Sequence, residues 1–135
     1  MASLRILIVD DEKTVRSALG MLLRTQPGWE VVGEAADGAE AVGKAEELKP
    51  DVVIMDVSLP NVSGLEAAEQ IKRVTPESEV LMFSQHDSPF FVRQAQSAGA
   101  RGYLLKSQAD RLVIAVQTIG KHKDFYQSKD APHDA

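Results

Sequence analysis

The chain has 135 residues, 44% of them hydrophobic and 26% charged, with no cysteine and a formal net charge of −5. This reads as one globular domain with a sizeable core, and it excludes a disulfide framework and a thiolate metal site while fitting a reducing, cytoplasmic setting. The acidic balance argues against nucleic-acid binding by this chain itself, which draws on basic surfaces; no apolar run approaches the ~20 residues of a membrane helix, and the N-terminus lacks a signal-peptide cleavage pattern.

Short apolar runs alternate with helix-length amphipathic stretches. Ile6–Val9 in "RILIVDD" reads as the first strand. In "EKTVRSALGMLLR", Val15, Ala18, Leu19 and Leu22 fall at helical spacing, and "QPG" ends the helix. "WEVVGEA" gives a second strand. "DGAEAVGKAEELKP" gives a second helix, with Asp37 as N-cap and Pro50 as the stop. "DVVIMD" is a third strand, and "SGLEAAEQIKRVTP" a third helix that starts near Ser63 and stops before Pro76. "SEVLMFS" is a fourth strand. "SPFFVRQAQSAGA" is a fourth helix, with Pro89 in its first turn and Gly99 beyond its end. "GYLLK" is a short fifth strand. "QADRLVIAVQTIGK" is a fifth helix with Leu112, Ala115, Val116 and Ile119 on one face. The polar tail "DFYQSKDAPHDA" is expected to fray. The expected fold is therefore α/β, a doubly wound parallel sheet of five strands with helices on both faces.

Ligands of such sheets bind beyond the carboxyl ends of the strands, where strand order reverses. Asp10, Asp11 and Glu12 follow the first strand, and Asp56, Val57 and Ser58 the third. Ser84, Gln85 and His86 follow the fourth, and Lys106 and Ser107 the fifth. Three gathered carboxylates repel one another, and a divalent cation removes that conflict. Magnesium takes oxygen ligands and often uses only one or two carboxylates plus a phosphate. Lys106 and a hydroxyl could hold the remaining phosphate oxygens, and a carboxylate can attack phosphorus to form an acyl phosphate. Each residue alone has a plainer reading: a turn former, a helix cap, a loop hydroxyl, a solvated charge. Complementary groups on four strand ends together point to a site. The first βα turn, "VDDEKTVR", has no glycine, which counts against dinucleotide and P-loop binding.

The motifs "ILIVDDE", "DVVIMDVSLPNVSGLEAAEQIK", "VLMFSQH" and "GARGYLLKS" resemble the receiver domain of bacterial two-component response regulators, over Arg5 to Lys121. "SQHD", "AGARGYLLKS" and "IGKHKDFY" resemble the subfamily that usually carries a C-terminal helix-turn-helix DNA-binding domain. The resemblance implies a flavodoxin-like strand order 2-1-3-4-5. It implies Asp56 as phosphoacceptor, with Mg2+ held by Asp10, Asp11, Asp56 and the backbone carbonyl of Ser58. Lys106 would pair with the phosphoryl group, Ser84 would be the switch hydroxyl, and Tyr103 the aromatic coupled to it. Ser58 and His86 would tune hydrolysis. The donor would be the phosphohistidine of a histidine kinase.

In many receivers proline follows the lysine; here Ser107 stands there, which makes a cis peptide much less favourable. Residues 1–121 are expected to form the receiver, and 122–135 a tail or the start of a linker. Ile114 and Val113 on the fifth helix and Phe90 on the fourth are candidate interface residues. The expectation is a phosphorylation-promoted homodimer, with DNA reached only through a further C-terminal domain. Two other classes compete. An aspartate-nucleophile hydrolase would want D-x-D, and Asp56-Val57-Ser58 lacks the second acid. A phosphorylation-independent interaction module would not need the full set Asp10, Asp11, Asp56, Ser84 and Lys106.

Overall fold

A computed structural model describes residues 3–126. Its strands are β1 (Leu4–Val9), β2 (Trp29–Ala35), β3 (Val52–Met55), β4 (Glu79–Ser84), β5 (Gly102–Leu105) and β6 (Phe125–Tyr126). Its helices are α1 (Lys13–Arg24), α2 (Gly38–Leu48), α3 (Gly64–Val74), α4 (Pro89–Ser97) and α5 (Leu112–Gly120). All pairings are parallel, in the order β2-β1-β3-β4-β5-β6. Order reverses at β1 and β3, as expected. The sheet has six strands, not five, because Phe125–Tyr126 joins its edge. Those two residues lie within the stretch expected to fray; the rest of that tail, residues 127–135, lies outside the described residues.

The period-2 geometry of a strand splits each apolar run between two cores. Ile6, Ile8, Val52, Ile54, Leu81 and Phe83 pack with α1 and α5 on one face. Leu7, Val9, Val53, Met55, Val80 and Met82 pack with α2, α3 and α4 on the other. Caps set the helix starts. Asp37 accepts from the amide of Glu40 at 2.8 Å, Ser63 from that of Glu66 at 3.1 Å, and Ser88 from that of Phe90 at 3.1 Å. Gly99 follows α4 at φ +91°, a conformation that glycine adopts without a Cβ penalty.

Two helices differ from expectation. On α1 the buried stripe runs through Leu19 and Leu23 with Val15 and Leu22 at its flanks, while Ala18 is exposed. The helix presents its i, i+4, i+8 ridge to the sheet. The fifth helix begins only at Leu112, because Lys106–Arg111 forms a tighter 3-10 turn, broken at Gln108. Leu112, Ala115, Val116 and Ile119 are fully buried, as expected. No peptide among the described residues is cis, and no helix among them is long and apolar enough to cross a membrane.

Candidate functional site

Strand register builds the site. Val9 pairs with Met55, so Asp10 and Asp56, the next residue of each strand, emerge side by side. The amide of Asp56 donates to Val9 O at 3.1 Å and that of Asp10 to Ala35 O at 3.1 Å, which fixes both backbones. Asp10 and Asp56 are buried, Asp11 is exposed, and the three carboxylates bring oxygens within 4.8 Å of one another. Gly64 closes the far side. A Cβ there would stand 1.8 Å from Asp56 O, so only glycine lets the loop after β3 fold back over the acceptor strand.

Lys106 follows β5 and reaches across β4, which ends at Ser84. Its ammonium donates to Asp10 Oδ2 at 2.8 Å and to Asp56 Oδ2 at 3.0 Å. Burial works against the charge on Lys106, but the hydrogen bonds and the negative charge of the two aspartates outweigh it and raise its pKa above the ordinary lysine value. The other carboxylate oxygens are held by backbone: Asp10 Oδ1 accepts from the Glu12 amide at 2.9 Å, and Asp56 Oδ1 from the Ser58 amide at 3.2 Å. One ammonium cannot neutralise three carboxylates. The donor set is all oxygen, with Asp11 on its solvent side, which suits a hard divalent cation rather than a softer metal.

Ser84, Tyr103, Ser58 and His86 form one connected group. The Ser84 side chain is fully buried and its Oγ accepts from the His86 amide at 3.0 Å. Tyr103 is turned inward, 2% exposed, and donates its hydroxyl to His86 O at 2.6 Å. The His86 ring stacks on Phe91 with centroids 4.4 Å apart, and its Nε2 lies 2.9 Å from Ser58 Oγ. His86 therefore bridges the loop carrying the candidate hydroxyl and the loop following Asp56. Ile114 and Phe90 are both about half exposed, with Val113 less so, and they lie on α5 and α4, away from the acidic cluster.

One residue at this edge carried no sequence signal. Arg16 on α1 donates to Asp10 O at 2.7 Å and pairs with Glu34 at 3.0 Å, tying the ends of β1 and β2 together. In the sequence it reads as an ordinary helix-surface arginine, because nothing in the run from Lys13 to Arg24 points to Asp10 or Glu34.

A parallel sheet whose reversal point gathers three aspartates, a bridging lysine and a buried hydroxyl defines a class of signalling domain, and residues 6–117 match the response regulator receiver domain family. The chain belongs to that family. It is 40% identical over 128 residues to oxygen regulatory protein NreC of Staphylococcus haemolyticus, spanning 93% of this chain and 59% of that protein. It is 37% identical over 127 residues to transcriptional regulatory protein DegU of Brevibacillus brevis, spanning 93% of this chain and 54% of that protein. The chain thus spans little more than half the length of these relatives. Among solved structures it is similar to a LuxR-family two-component response regulator from Aurantimonas sp. SI85-9A1, with TM-score 0.91, 36% identity and 96% and 94% of the two chains covered. It is also similar to the receiver domain of the NarL response regulator of Mycobacterium tuberculosis, with TM-score 0.86, 33% identity and 91% and 100% covered.

Proposed function

We propose that Asp56 accepts a phosphoryl group from the phosphohistidine of a partner histidine kinase. The observation that carries this is the gathering of Asp10, Asp11 and Asp56, the first and last of them bonded to Lys106, at the point where strand order reverses. The Asp56 carboxylate forms the new P–O bond as the P–N bond to histidine breaks, and the imidazole leaves with its electron pair and takes up a proton. Asp10, Asp11, Asp56 and the carbonyl of Ser58 would hold Mg2+, which when bound neutralises charge on the transferring group. Lys106 already contacts the acceptor and turns to the phosphoryl oxygens. Ser84 gives up its contact with the His86 amide to reach the same group, and Tyr103, bonded to the carbonyl of His86, responds. Ser58 and His86, linked to each other beside Asp56, shield it from water and set the phosphoryl lifetime.

The added charge of roughly −1.5 to −2 biases the surface of α4, β5 and α5. Transcription is the proposed output, through a DNA-binding domain in a longer protein, as the name of the DegU relative suggests. A homodimer through α1 and α5 is the proposed active form. Ile114 is 50% exposed on α5, and an apolar groove lined by Val15, Ala18, Leu19, Phe83 and Ala109 runs beside α1. A rise in the dimer dissociation constant for Ile114→Asp is expected, and an unchanged value would move the dimer elsewhere.

The deciding test incubates the chain with Mg2+ and acetyl phosphate and reads intact mass. One phosphoryl adduct on wild type and none on Asp56→Asn is expected. No adduct on wild type, or equal labelling of Asp56→Asn, would reject the reading.

A further inference from the structure

Far from the phosphorylation edge, Glu79 opens β4. It is 3% exposed, takes no part in the proposed chemistry, and gathers partners from three parts of the chain. Lys72 of α3 lies 3.1 Å from Oε1, Arg101 before β5 lies 3.1 Å from Oε2, and Nδ1 of His122 lies 2.5 Å from Oε2. His122 stands just past α5, at the start of the segment that leads to β6.

That His122 is there at all needs a cause. The amide of His122 donates to Ile119 O at 2.9 Å and that of Lys123 to Thr118 O at 3.2 Å, the paired bonds of a Schellman helix end. Its φ of +63° is the left-handed conformation for which glycine is the usual choice, and a side chain there carries a steric cost. The contact with Glu79 is the return for that cost. The segment beyond is fastened again at each step. Asp124 pairs with Arg101 at 3.3 Å, the Phe125 amide donates to Arg101 O at 3.0 Å, and the Tyr126 hydroxyl donates to Ala100 O. On the other side of the pairing, Gly102 makes the room: a Cβ there would stand 2.6 Å from Phe125 O.

We infer that residues 122–126 are an exit strap, docked on Glu79 and on the free edge of β5, whose docking is coupled to the state of Asp56. The coupling rests on the phosphoacceptor reading and on one strand. β5 pairs its Gly102 and Tyr103 with Phe125 and Tyr126, and it ends at the residue before Lys106, which holds Asp56. Tyr126 meanwhile holds the loop that closes α4. A movement of Tyr103 or of α4 therefore meets the strap directly, and whatever follows residue 126 in a longer protein leaves from it.

Hydrogen exchange read by mass spectrometry on the 135-residue chain tests this. Wild type is expected to protect residues 122–126. His122→Gly relieves the helix-end strain but removes the Glu79 contact, and Tyr126→Phe removes one hydroxyl. Both are expected to speed exchange at 122–126 several-fold while β1 and β3 keep their protection. Beryllofluoride with Mg2+, a stand-in for the phosphoryl group, is expected to change wild-type exchange at 122–126 by about five-fold or more, the lower end of ordinary coupling between sites. Because coupling is reciprocal, Tyr126→Phe then shifts the beryllofluoride dissociation constant, weakening it if beryllofluoride slowed exchange and tightening it if it sped exchange. Binding with no change at 122–126, or an unprotected strap in wild type, would overturn the inference and leave the phosphoacceptor reading standing. Failure of both beryllofluoride binding and acetyl phosphate labelling would overturn the reading and the coupling together.

Discussion

At the carboxyl edge of the sheet, Asp56 shares its surroundings with Asp10 and Asp11, and a single ammonium, that of Lys106, bonds two of the three. At the opposite end of β4, Glu79 is a lone buried carboxylate with Lys72, Arg101 and His122 all upon it. Both are acids at the end of an apolar strand. One is surrounded by too much negative charge for its cations, the other by more than enough positive charge. The first edge has more acid than its one ammonium balances, so it could hold an added cation; the second has its acid fully paired, which suits it to a structural part.

The largest expected effect breaks the complete end. Glu79→Ala leaves Lys72 and Arg101 facing each other with their common acceptor gone. We expect a loss of about 3 kcal/mol in urea-induced unfolding, at the lower end for a broken buried pair because both cations reach solvent. A loss under about 1 kcal/mol would mean that the cluster is only a surface ion pair.

The next effect completes the incomplete end. Saturating Mg2+ at a hundred times its dissociation constant is expected to stabilise the folded chain by about 2.7 kcal/mol, and to do so equally in Glu79→Gln. Asp11→Asn should abolish most of that gain. Stabilisation that survives in Asp11→Asn would place the cation elsewhere.

The two ends also differ in how far they could be read from sequence. Asp10, Asp11, Asp56, Ser84 and Lys106 were legible because each ends a strand that an apolar run announces, and the parallel topology brings strand ends together without further information. Glu79 was not, because its partners lie 7, 22 and 43 residues away and none sits at a strand's carboxyl end. β6 was hidden for a related reason. Two residues are too few for a period-2 alternation to show, and their place on the sheet depends on the missing side chain of Gly102. The Ser58–His86 contact was legible only as two positions flanking the acceptor and the hydroxyl, not as a bond.

Acid should separate the ends further. Burial pushes the pKa of Glu79 up, but hydrogen bonds from His122, Arg101 and Lys72 outweigh it and leave it below the ordinary glutamate value. A carboxyl whose folded-state pKa is depressed contributes its full stability above the unfolded value, near 4.5, and loses it as pH falls through the lower folded value. Wild type is therefore expected to lose stability below about pH 4.5 more steeply than Glu79→Gln, in thermal melts taken without Mg2+. Parallel curves for the two proteins would mean that the Glu79 cluster does not contribute to acid unfolding.

The smallest expected effect is at Asp56 itself. In Mg2+-free buffer, Asp56→Asn should change the unfolding free energy by less than about 1 kcal/mol, although it is expected to abolish labelling by acetyl phosphate. The substitution removes one of three mutually repelling carboxylates, which favours the folded state. It also weakens the contact with Lys106, which keeps Asp10 as a partner at 2.8 Å, and the asparagine oxygen can still accept from the Ser58 amide. The two terms oppose each other and nearly cancel, whereas at Glu79 no repulsion is relieved and Lys72 and Arg101 lose their shared counter-charge at once. Equal destabilisation of Asp56→Asn and Glu79→Gln would erase the difference between the two ends, and would mean that Lys106 alone already balances the acidic edge.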